Sequence, residues 1–507
     1  MVTSSKKKLL MLLLVFGLMS GLMYATAIIT QAAGMTYYVD SVNGNDNNNG
    51  TSISTPWKSF NEINWKVFSP GDKILFKAGC SWTGTLQPKG SGTSGNPIVI
   101  DMYGIGNKPI ISGGGATNAV YLSGQSFWEI NNLEVTNNAS SEGTRRGIFL
   151  QAVGVTNHLY VKNCYIHNVK GNNDFNTGKP TGGIILMGDG GSGTKYNDVL
   201  IDSNTVNYCE RTGIYVGDGC GNGTSFVSTG VIIRNNAINY PGGDGVIILC
   251  CLNPLIEYNV CNTSDNVSTQ VSCGIWPWYC SGAIFQYNEA YNCKLSADLD
   301  DGEAWDIDGG NQGCIYQYNY SHDNQGGSIM VCADQTCPSN NSTIRYNISQ
   351  NDKGRIVNLT GPSKNTYYYN NIAYLSPSMT TDIVGAVTLG GNHSNFYAYN
   401  NIFYNLGKGG YDFGGSRNNV FDYNVFYGNH PSNEPSDAHK LTSDPLFVNP
   451  GSGSTGRNTV NGYKLKSSSP CIDSGKTITN NGGIDFWGNT VPQGSATDRG
   501  AYEGGGE

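Results

Sequence analysis

The sequence predicts an all-β chain that folds as a single-stranded right-handed parallel β-helix of about ten coils. Of its 507 residues, 69 are Gly and only 13% are charged, against about 25% in an average globular protein, so long charged helices are excluded. The hydrophobic fraction of 38% is enough to bury a core, so Gly marks turns rather than disorder. A short β-rich pattern that recurs along the chain is the second observation.

The recurring pattern consists of two or three β-forming residues, a polar residue that is often Tyr, and then Asn. Its copies end at Asn204, Asn236, Asn259, Asn288, Asn319, Asn347, Asn371, Asn401 and Asn424. The variable intervals of 23 to 32 residues suit coils whose turns accept insertions, whereas a β-propeller would need four strands per blade at a longer period. We expect the asparagine amides to hydrogen-bond from coil to coil at a tight corner, which is a structural role.

The N-terminus has the pattern of an export signal. Three lysines at positions 6–8 precede an apolar run of about 21 residues and then small residues at positions 32–34. We predict a signal peptide over residues 1–33 and a secreted protein; an uncleaved membrane anchor is the alternative. After signal cleavage we expect no membrane association and a monomer, and the net charge of −8 argues against a nucleic-acid partner.

The remaining chain divides into an N-terminal cap with the first coils (34–115), a β-helix that carries the active face (116–430) and a C-terminal closing segment (431–507). All 14 cysteines lie after the signal, at irregular spacing and without paired CxxC units of zinc-finger type. Two interpretations stay open, disulfides formed in an oxidising compartment and stacked core thiols.

A second set of β-rich segments interleaves with the first, and neighbouring residues on each strand face opposite sides. The parity places these residues inside: Ile184, Leu186, Ile214, Val216, Val246, Ile248, Ile275, Pro277, Trp305, Ile307, Ile329 and Val331. The alternate positions face outward: Ile185, Met187, Tyr215, Gly217, Ile247, Leu249, Trp276, Trp278, Asp306, Asp308, Met330, Cys332, Val357 and Leu359.

Among these outward positions, only the coil of Asp306 and Asp308 presents two carboxylates, and the coil before it presents Trp276 and Trp278 at the matching positions. Residues two apart on a strand have Cα atoms about 6.5 to 7 Å apart. Paired carboxylates at about that separation suit glycoside hydrolysis, with inversion favoured over retention. Repulsion between the two charges and a nearby apolar wall separate their pKa values, giving an acid beside a base.

Other residues near this face extend the predicted site. Asp301 and Glu303 are alternative carboxylates for either catalytic role. The predicted substrate contacts, besides the two tryptophans, are Tyr215, Asp244, His322 and Arg355.

An acidic turn just upstream contains Asp298, Asp300 and Asp301, and hard cations such as Ca²⁺ prefer oxygen ligands of this kind. We therefore predict a calcium site there, although hydrolysis requires no cofactor; a solvated acidic turn is the alternative.

The chain resembles the secreted pectin-lyase-like β-helix proteins of polysaccharide degradation. The segment TYYVDSVNGNDNNNGTSISTPWKSFNEI (36–63) with PGDKILFKAG (70–79) is similar to their cap and first coil, and DPLFVNP (444–450), YKLKSSSPCIDSG (463–475) and TDRGAYE (497–503) are similar to their closing segment. Residues 292–324 resemble the region of family-nine pectate lyases in which aspartates bind Ca²⁺ and a lysine abstracts a proton. Asp308 occupies that lysine position, and a carboxylate is a weak base for elimination.

We therefore predict a secreted glycoside hydrolase that cleaves a plant or microbial polysaccharide or oligosaccharide by paired-carboxylate chemistry. The alternatives are a calcium-dependent polysaccharide lyase that uses Lys353 or Arg355, and a non-catalytic glycan-binding β-helix that needs no paired carboxylates.

Overall fold

The computed structural model describes residues 34–174, 177–191, 193–217, 227–267, 271–295, 301–333 and 336–505. The predicted signal segment 1–33 lies outside the described residues. In the described part, successive coils contribute neighbouring strands to three long parallel sheets, which is the predicted right-handed parallel β-helix. No described helix is long and apolar enough to cross a membrane.

The first sheet contains, in spatial order, β1 (Thr36–Val39), β3 (Lys73–Lys77), β6 (Ile98–Tyr103), β9 (Trp128–Asn131), β12 (Val155–Lys162), β15 (Lys195–Asp202), β18 (Ser228–Arg234), β22 (Leu255–Glu257), β25 (Ile284–Gln286), β28 (Ile315–Gln317), β31 (Thr343–Arg345), β34 (Lys364–Tyr369), β37 (Ser394–Tyr399) and β40 (Val420–Asp422), with β21 (Cys251–Leu252) beside β18.

The second sheet contains β4 (Ser81–Thr83), β7 (Ile110–Ser112), β10 (Glu134–Asn137), β13 (Tyr165–Val169), β16 (Thr205–Cys209), β19 (Ala237–Asn239), β23 (Val260–Asn262), β26 (Glu289–Tyr291), β29 (Tyr320–His322), β32 (Ile348–Gln350), β35 (Ile372–Leu375), β38 (Ile402–Asn405) and β41 (Val425–Gly428).

The third sheet contains β8 (Asn118–Ser123), β11 (Arg146–Ala152), β14 (Gly182–Gly188), β17 (Thr212–Gly217), β20 (Val246–Leu249), β24 (Ile275–Trp278), β27 (Glu303–Ile307), β30 (Gly327–Cys332), β33 (Arg355–Thr360), β36 (Val384–Val387) and β39 (Tyr411–Asp412). The smaller elements are the pair β2 (Val67–Phe68) and β5 (Lys89–Gly90), the helix α1 (Phe60–Trp65) and a 3₁₀ helix (Arg457–Tyr463).

The stack has more coils than the ten or so predicted, since the path of the first sheet runs through 14 strands within the described residues. The difference arises because strand pairing starts at β1, which pairs with β3 in the N-terminal segment. The coils of β1, β3 and β6 lack the Asn-ended pattern, so counting that pattern missed them.

The predicted asparagine ladder is confirmed. At each corner between the first and second sheets, the backbone N–H of one Asn donates to the side-chain oxygen of the Asn on the next coil, at 2.9 to 3.1 Å from Asn204 to Asn424. The residue before each Asn is left-handed, as at Tyr258 (φ 55°) and Tyr287 (φ 56°). That conformation costs a non-glycine residue roughly 1–2 kcal/mol, which the ladder bonds offset.

The predicted strand parity is confirmed for the inward positions of β14 to β30, whose apolar side chains lie in one continuous core. It is wrong for Val357 and Leu359, which were expected outside. They pair with the inward Ile329 and Val331, and the residue between them, Asn358, pairs with Met330 and faces outward. A shift of one residue in strand phase exchanges the two faces completely.

The C-terminal segment packs along the outside of the later coils. Gly456 donates its backbone N–H to Glu289 Oε1 at 2.7 Å, and Arg457 Nε donates to the Tyr318 carbonyl at 3.0 Å. Gln350 Nε2 donates to the Gly453 carbonyl at 2.9 Å. The C-terminal segment therefore covers part of the first and second sheets.

Both interpretations of the cysteines hold for part of the set. Cys250 is disulfide-bonded. Twelve other described cysteines are free thiols, most of them buried, and Cys280 Sγ accepts the Cys251 N–H of the preceding coil at 3.4 Å. Stacked thiols therefore fill part of the core.

Candidate functional site

A cavity of about 430 Å³ lies on the outer face of the third sheet, at β24, β27 and β30. It brings together the predicted pairs Trp276 with Trp278 and Asp306 with Asp308, and Asp301 also lines it. The register explains the placement, because Ile275 pairs with Trp305 and the next residue on each strand faces outward. The two indoles and the carboxylates therefore line one depression.

The carboxylates of this cavity differ in exposure. Asp306 is only 5% exposed and its Oδ1 has no hydrogen-bond partner in the described part of the chain, while Glu303 is only 2% exposed. Asp301 and Asp308 are half-buried at the rim. Asp301 and Asp308 are therefore the more accessible carboxylates, and Asp306 and Glu303 are nearly fully buried.

Burial and mutual repulsion shift the pKa values of these acids upward. Burial raises the pKa of Asp301 and of Asp306 well above the usual value, and the neighbouring carboxylates, Asp308 among them, raise both further. The charge of Lys179 opposes the shift in both cases. Burial also raises the pKa of Glu303 to about 7, against hydrogen bonds from Asn358 and Cys273. The site can therefore hold protons at neutral pH, as a general acid requires.

Trp276 is held by a buried ion pair. Its Nε1 donates to Asp244 Oδ1 at 2.8 Å, and Asp244 Oδ2 lies 3.2 Å from Arg211 Nη2. Both charged side chains are fully buried. Asp244 was expected as an accessible third carboxylate, but its contacts make it part of the cavity wall that orients the indole, because an ion pair without water must keep its partners.

Of the remaining aromatic residues, some line the cavity and one lies beneath the surface. Trp278 is half-buried and packs edge to face with Tyr279, with ring centroids 4.3 Å apart, and both line the cavity. Lys179 Nζ lies 4.3 Å from the centroid of the Trp276 ring. Tyr215 was expected to extend the aromatic floor, but it is 8% exposed within the apolar cluster two coils earlier and lies beneath the surface.

His322 lies on a different face from the cavity, which corrects its predicted role as a substrate contact at the cleft edge. It is on β29 of the second sheet, 4% exposed, with its ring nitrogens 2.8 Å from Asp323 Oδ2 and 3.2 Å from Glu289 Oε1. Burial alone lowers the pKa of this imidazole, but the two carboxylates raise it to about 9. The physical reason is the turn after β28, which carries the chain to another sheet.

Arg355 lines a second cavity of about 400 Å³ that adjoins the first. Asp301 lies on the walls of both cavities, and Glu303 lines the second. The predicted substrate contact therefore lies close to the carboxylates, although on the far side of Asp301 from the tryptophans.

Of the three predicted metal ligands, Asp298 and Asp300 lie outside the described residues, and Asp301 lies within them. In the described part, ligand atoms of Cys273, Asp301 and Glu303 all lie within 4.8 Å of one another. The Cys273 thiol is 3.8 Å from Glu303 Oε2, and burial raises its pKa well above the usual value. Oxygen ligands for a hard cation are therefore present, beside a sulfur that stays protonated.

The sequence reasoning missed Lys179, Tyr279 and Asn358. Lys179 reaches the cavity from the loop before β14, three coils before β24, and is anchored by the Thr212 hydroxyl, which donates to its carbonyl at 2.8 Å. Strand parity gives no signal for a loop that folds across later coils. Asn358 was predictable, because the correct phase of β33 turns it outward.

The stacked parallel coils define the fold class: the chain is a right-handed parallel β-helix, and its third sheet carries an outward-facing cavity. A family model described as a right-handed beta helix region matches residues 182–373.

A more particular similarity is to lacto-N-biosidases. The chain is 30% identical to lacto-N-biosidase of Bifidobacterium longum subsp. longum over 94% of its own length, but it spans only 36% of that relative. The crystal structure of GH136 lacto-N-biosidase from Eubacterium ramulus is 26% identical, with a TM-score of 0.61 over 71% of this chain and 67% of that one. XylC in complex with xylose shares the fold at 11% identity, with a TM-score of 0.54 over 93% of this chain and 99% of that one.

Proposed function

We propose that the chain is a glycoside hydrolase that cleaves an oligosaccharide or polysaccharide in the cavity of the third sheet. The observation that carries the proposal is the cavity itself, in which Asp301 and Asp308 lie half-buried beside two indoles and above two further acids. The similarity to lacto-N-biosidases, one of them a GH136 enzyme, supports the same reaction class.

The accessible acids take the catalytic roles. Asp301, whose pKa burial raises, donates a proton to the glycosidic oxygen as the bond to the anomeric carbon breaks. Asp308 either removes a proton from the attacking water or attacks the anomeric carbon itself, after which water releases the sugar. Asp306, expected to be one of the pair, is only 5% exposed, so the two half-buried acids take the direct roles instead.

The aromatic side chains position the sugar. Trp278 and Tyr279 present ring edges and faces to the cavity, and the apolar face of a pyranose packs against such rings. Trp276 forms the fixed floor, since Asp244 and Arg211 determine its orientation. Apolar contacts and carboxylates on one depression suit a polyhydroxylated ligand with an apolar face.

The test uses an aryl lacto-N-bioside and a panel of polysaccharides with reducing-end detection. Asp301→Asn and Asp308→Asn should each lower kcat about 10²- to 10⁴-fold, the usual contribution of acid–base catalysis. Asp412→Asn is the matched control, because Asp412 lies exposed on β39 of the same sheet. Full activity in both active-site variants would refute the assignment.

A calcium-dependent lyase is the second candidate, favoured by Lys353 and Arg355 on the adjoining cavity. A lyase forms an unsaturated uronate that absorbs in the ultraviolet, whereas a hydrolase releases reducing ends without that absorbance. Added chelator should abolish a calcium-dependent elimination and leave metal-free hydrolysis intact. A protein that binds glycans without cleaving them would show neither product.

We also propose export, with residues 1–33 removed as a signal peptide. The disulfide at Cys250 supports an oxidising compartment. Mass spectrometry of the protein from a culture medium should give an N-terminus near residue 34, whereas an intact leader in the membrane fraction would show an anchor.

A further inference from the structure

A cavity of about 630 Å³ lies on the outer face of the first sheet, and we call it the first-sheet cavity. Ile315 of β28, Thr343 of β31 and Tyr367 of β34 line its floor, and residues 476–480 of the closing segment form a wall. Among the described residues, it shares no lining side chain with the cavity of the third sheet. A ligand bound here would therefore leave the carboxylates of the third sheet free.

The first-sheet cavity is lined by a buried guanidinium that lacks a counter-charge. Arg345 is only 8% exposed. Its Nε donates to Gln317 Oε1 at 2.8 Å, and its Nη1 donates to the Tyr369 hydroxyl at 3.1 Å and to the Asn480 carbonyl at 2.7 Å. These acceptors are all uncharged, and the two N–H groups of Nη2 have no acceptor in the described part of the chain. A buried charge is costly unless it is paired, so Arg345 indicates an anionic ligand.

The other cation of this cavity is already paired. Lys476 Nζ lies 3.0 Å from Asp422 Oδ2 and 4.4 Å from the centroid of the Tyr399 ring. The other oxygen of Asp422 lies 2.7 Å from His439 Nδ1. No carboxylate is among the described residues that line the cavity. The uncompensated charge of the first-sheet cavity is therefore the positive charge of Arg345.

Tyr367 presents a flat ring at the end of an aromatic stack. Its side chain is 37% exposed, and its ring stacks on Tyr397 of the next coil with centroids 5.1 Å apart and planes inclined by 18°. On the preceding coil Tyr367 pairs with Thr343, whose short side chain leaves space beside the ring. Coils stack about 4.8 Å apart, so a sugar ring fits the place that a further aromatic side chain would take.

The register brings the ring and the guanidinium within reach of one sugar unit. Arg345 pairs with Tyr369, which is two residues along β34 from Tyr367. Strand spacing therefore sets the Cα atoms of Arg345 and Tyr367 about 8 Å apart on the same outer face. A pyranose that packs its apolar face on Tyr367 can direct a carboxylate to the N–H groups of Arg345 Nη2, which makes charge-assisted hydrogen bonds.

Hydroxyl groups complete the site. The hydroxyls of Thr343, Thr477 and Thr479 form no hydrogen bond within the described residues, and all three residues line the cavity. A threonine hydroxyl both donates and accepts, as a sugar hydroxyl does. The first-sheet cavity therefore combines one positive charge, one aromatic face and several hydroxyls.

We infer that the first-sheet cavity is a non-catalytic binding site for a sugar that carries a carboxylate, held by Arg345 and Tyr367. A uronic acid and a sialic acid share this chemistry. Binding there requires no cleavage, so this role goes beyond the proposed function and does not rest on it. It would hold an acidic glycan on one face of the protein while the third sheet acts on another.

The experiment is saturation-transfer NMR on the wild-type protein with three probes. Methyl glucuronide and methyl glucoside differ only in the carboxylate, and the methyl glycoside of N-acetylneuraminic acid represents the sialic acids. Hydrogen bonds to a charged group contribute about 1.5–3 kcal/mol, so at least one acid should bind about 10- to 100-fold more tightly than methyl glucoside. The tighter of the two acids identifies the source of the ligand.

Variants locate the binding. Arg345→Gln should raise the Kd of the preferred acid about 10- to 100-fold, and Arg345→Lys, which keeps the charge, should raise it less. Tyr367→Ala should raise the Kd about 2- to 10-fold, the range of one ring contact. Arg417→Ala, at an exposed arginine outside the cavity, is the matched control and should leave the Kd unchanged. Circular dichroism verifies folding, and Tyr367→Ala carries the test if Arg345→Gln loosens the closing segment.

Several results would overturn the inference. These are equal binding of the neutral and acidic sugars, binding of neither acid, and a loss in Arg355→Ala instead of Arg345→Gln, which would place the ligand beside the third-sheet site. An unchanged Kd in Tyr367→Ala would show an anion site without sugar recognition and would overturn it too. Cleavage of an aryl lacto-N-bioside should be unchanged in Tyr367→Ala. Failure of the hydrolase proposal would appear in that assay and failure of the binding site in the NMR titration.

Discussion

Replacing Asn259 by Ala should destabilise the stack strongly, although the side chain lies far from the cavity. Asn259 is fully buried. Its Oδ1 accepts the backbone N–H of Asn236 at 3.1 Å, and its Nδ2 donates to the Ile233 carbonyl at 2.9 Å and to Asn288 Oδ1 at 3.1 Å. An orphaned buried N–H costs about 1–3 kcal/mol and each lost bond about 0.5–1.5 kcal/mol, together about 2–6 kcal/mol.

The assay is urea unfolding followed by circular dichroism, with Asn262→Ala as the matched control on the same coil. Asn262 is half-buried on the second sheet, where its amide donates to Asn239 over 3.5 Å and accepts the Thr263 hydroxyl at 2.7 Å, contacts that water replaces at a half-exposed position. We expect a loss below about 1 kcal/mol there. Equal losses in the two variants, or a loss below about 1 kcal/mol for Asn259→Ala, would refute the role given to the ladder.

Three further predictions concern charge. Asp244→Ala leaves Arg211 buried without a counter-charge and should lower the free energy of unfolding by about 3–5 kcal/mol, with normal stability in urea contradicting this. The pKa of His322 is raised from 6.5 to about 9, so the stability that the protonated imidazole contributes to the fold is complete below pH 6.5 and is lost as the pH rises through 9. His322→Gln should flatten the plot of Tm against pH over that range. An unchanged slope would be the contrary result. The pKa of Glu303 is raised from 4.5 to about 7, so the stability that its protonation contributes is lost as the pH rises through 7. Glu303→Gln should remove that part of the dependence of Tm on pH. An unchanged dependence would show that the acid is solvated.

The fold was predictable because its signal repeats. One Asn position per coil and one strand phase per sheet leave little freedom once several copies agree, and each copy is a local pattern of three to five residues. The error at Val357 shows the limit of this reasoning: with the phase of one strand shifted by one residue, Asn358 was assigned to the core side. A pattern without polar residues at fixed positions does not distinguish the two phases.

The site was predictable only as far as it lies on strands. Parity brings Trp276, Trp278, Asp306 and Asp308 to one face, as the cavity shows. It says nothing about depth, and Asp306 proves to be buried under its neighbours. Depth depends on loops, such as the one that carries Lys179, and these come from distant coils.

The place of Asp301 illustrates the physical limit best. Seven residues in extended conformation span about 23 Å, so a strand would hold Asp301 and Asp308 at opposite ends of the coil. The chain turns just before β27 instead, because Asp301 (φ 60°) and Gly302 (φ 83°) are consecutive left-handed residues, and a methyl group on Gly302 would lie 2.6 Å from the Lys294 carbonyl. A glycine is therefore required at the bend. The turn places Asp301 on the wall of the cavity that Asp308 also lines, and strand periodicity does not report such a turn.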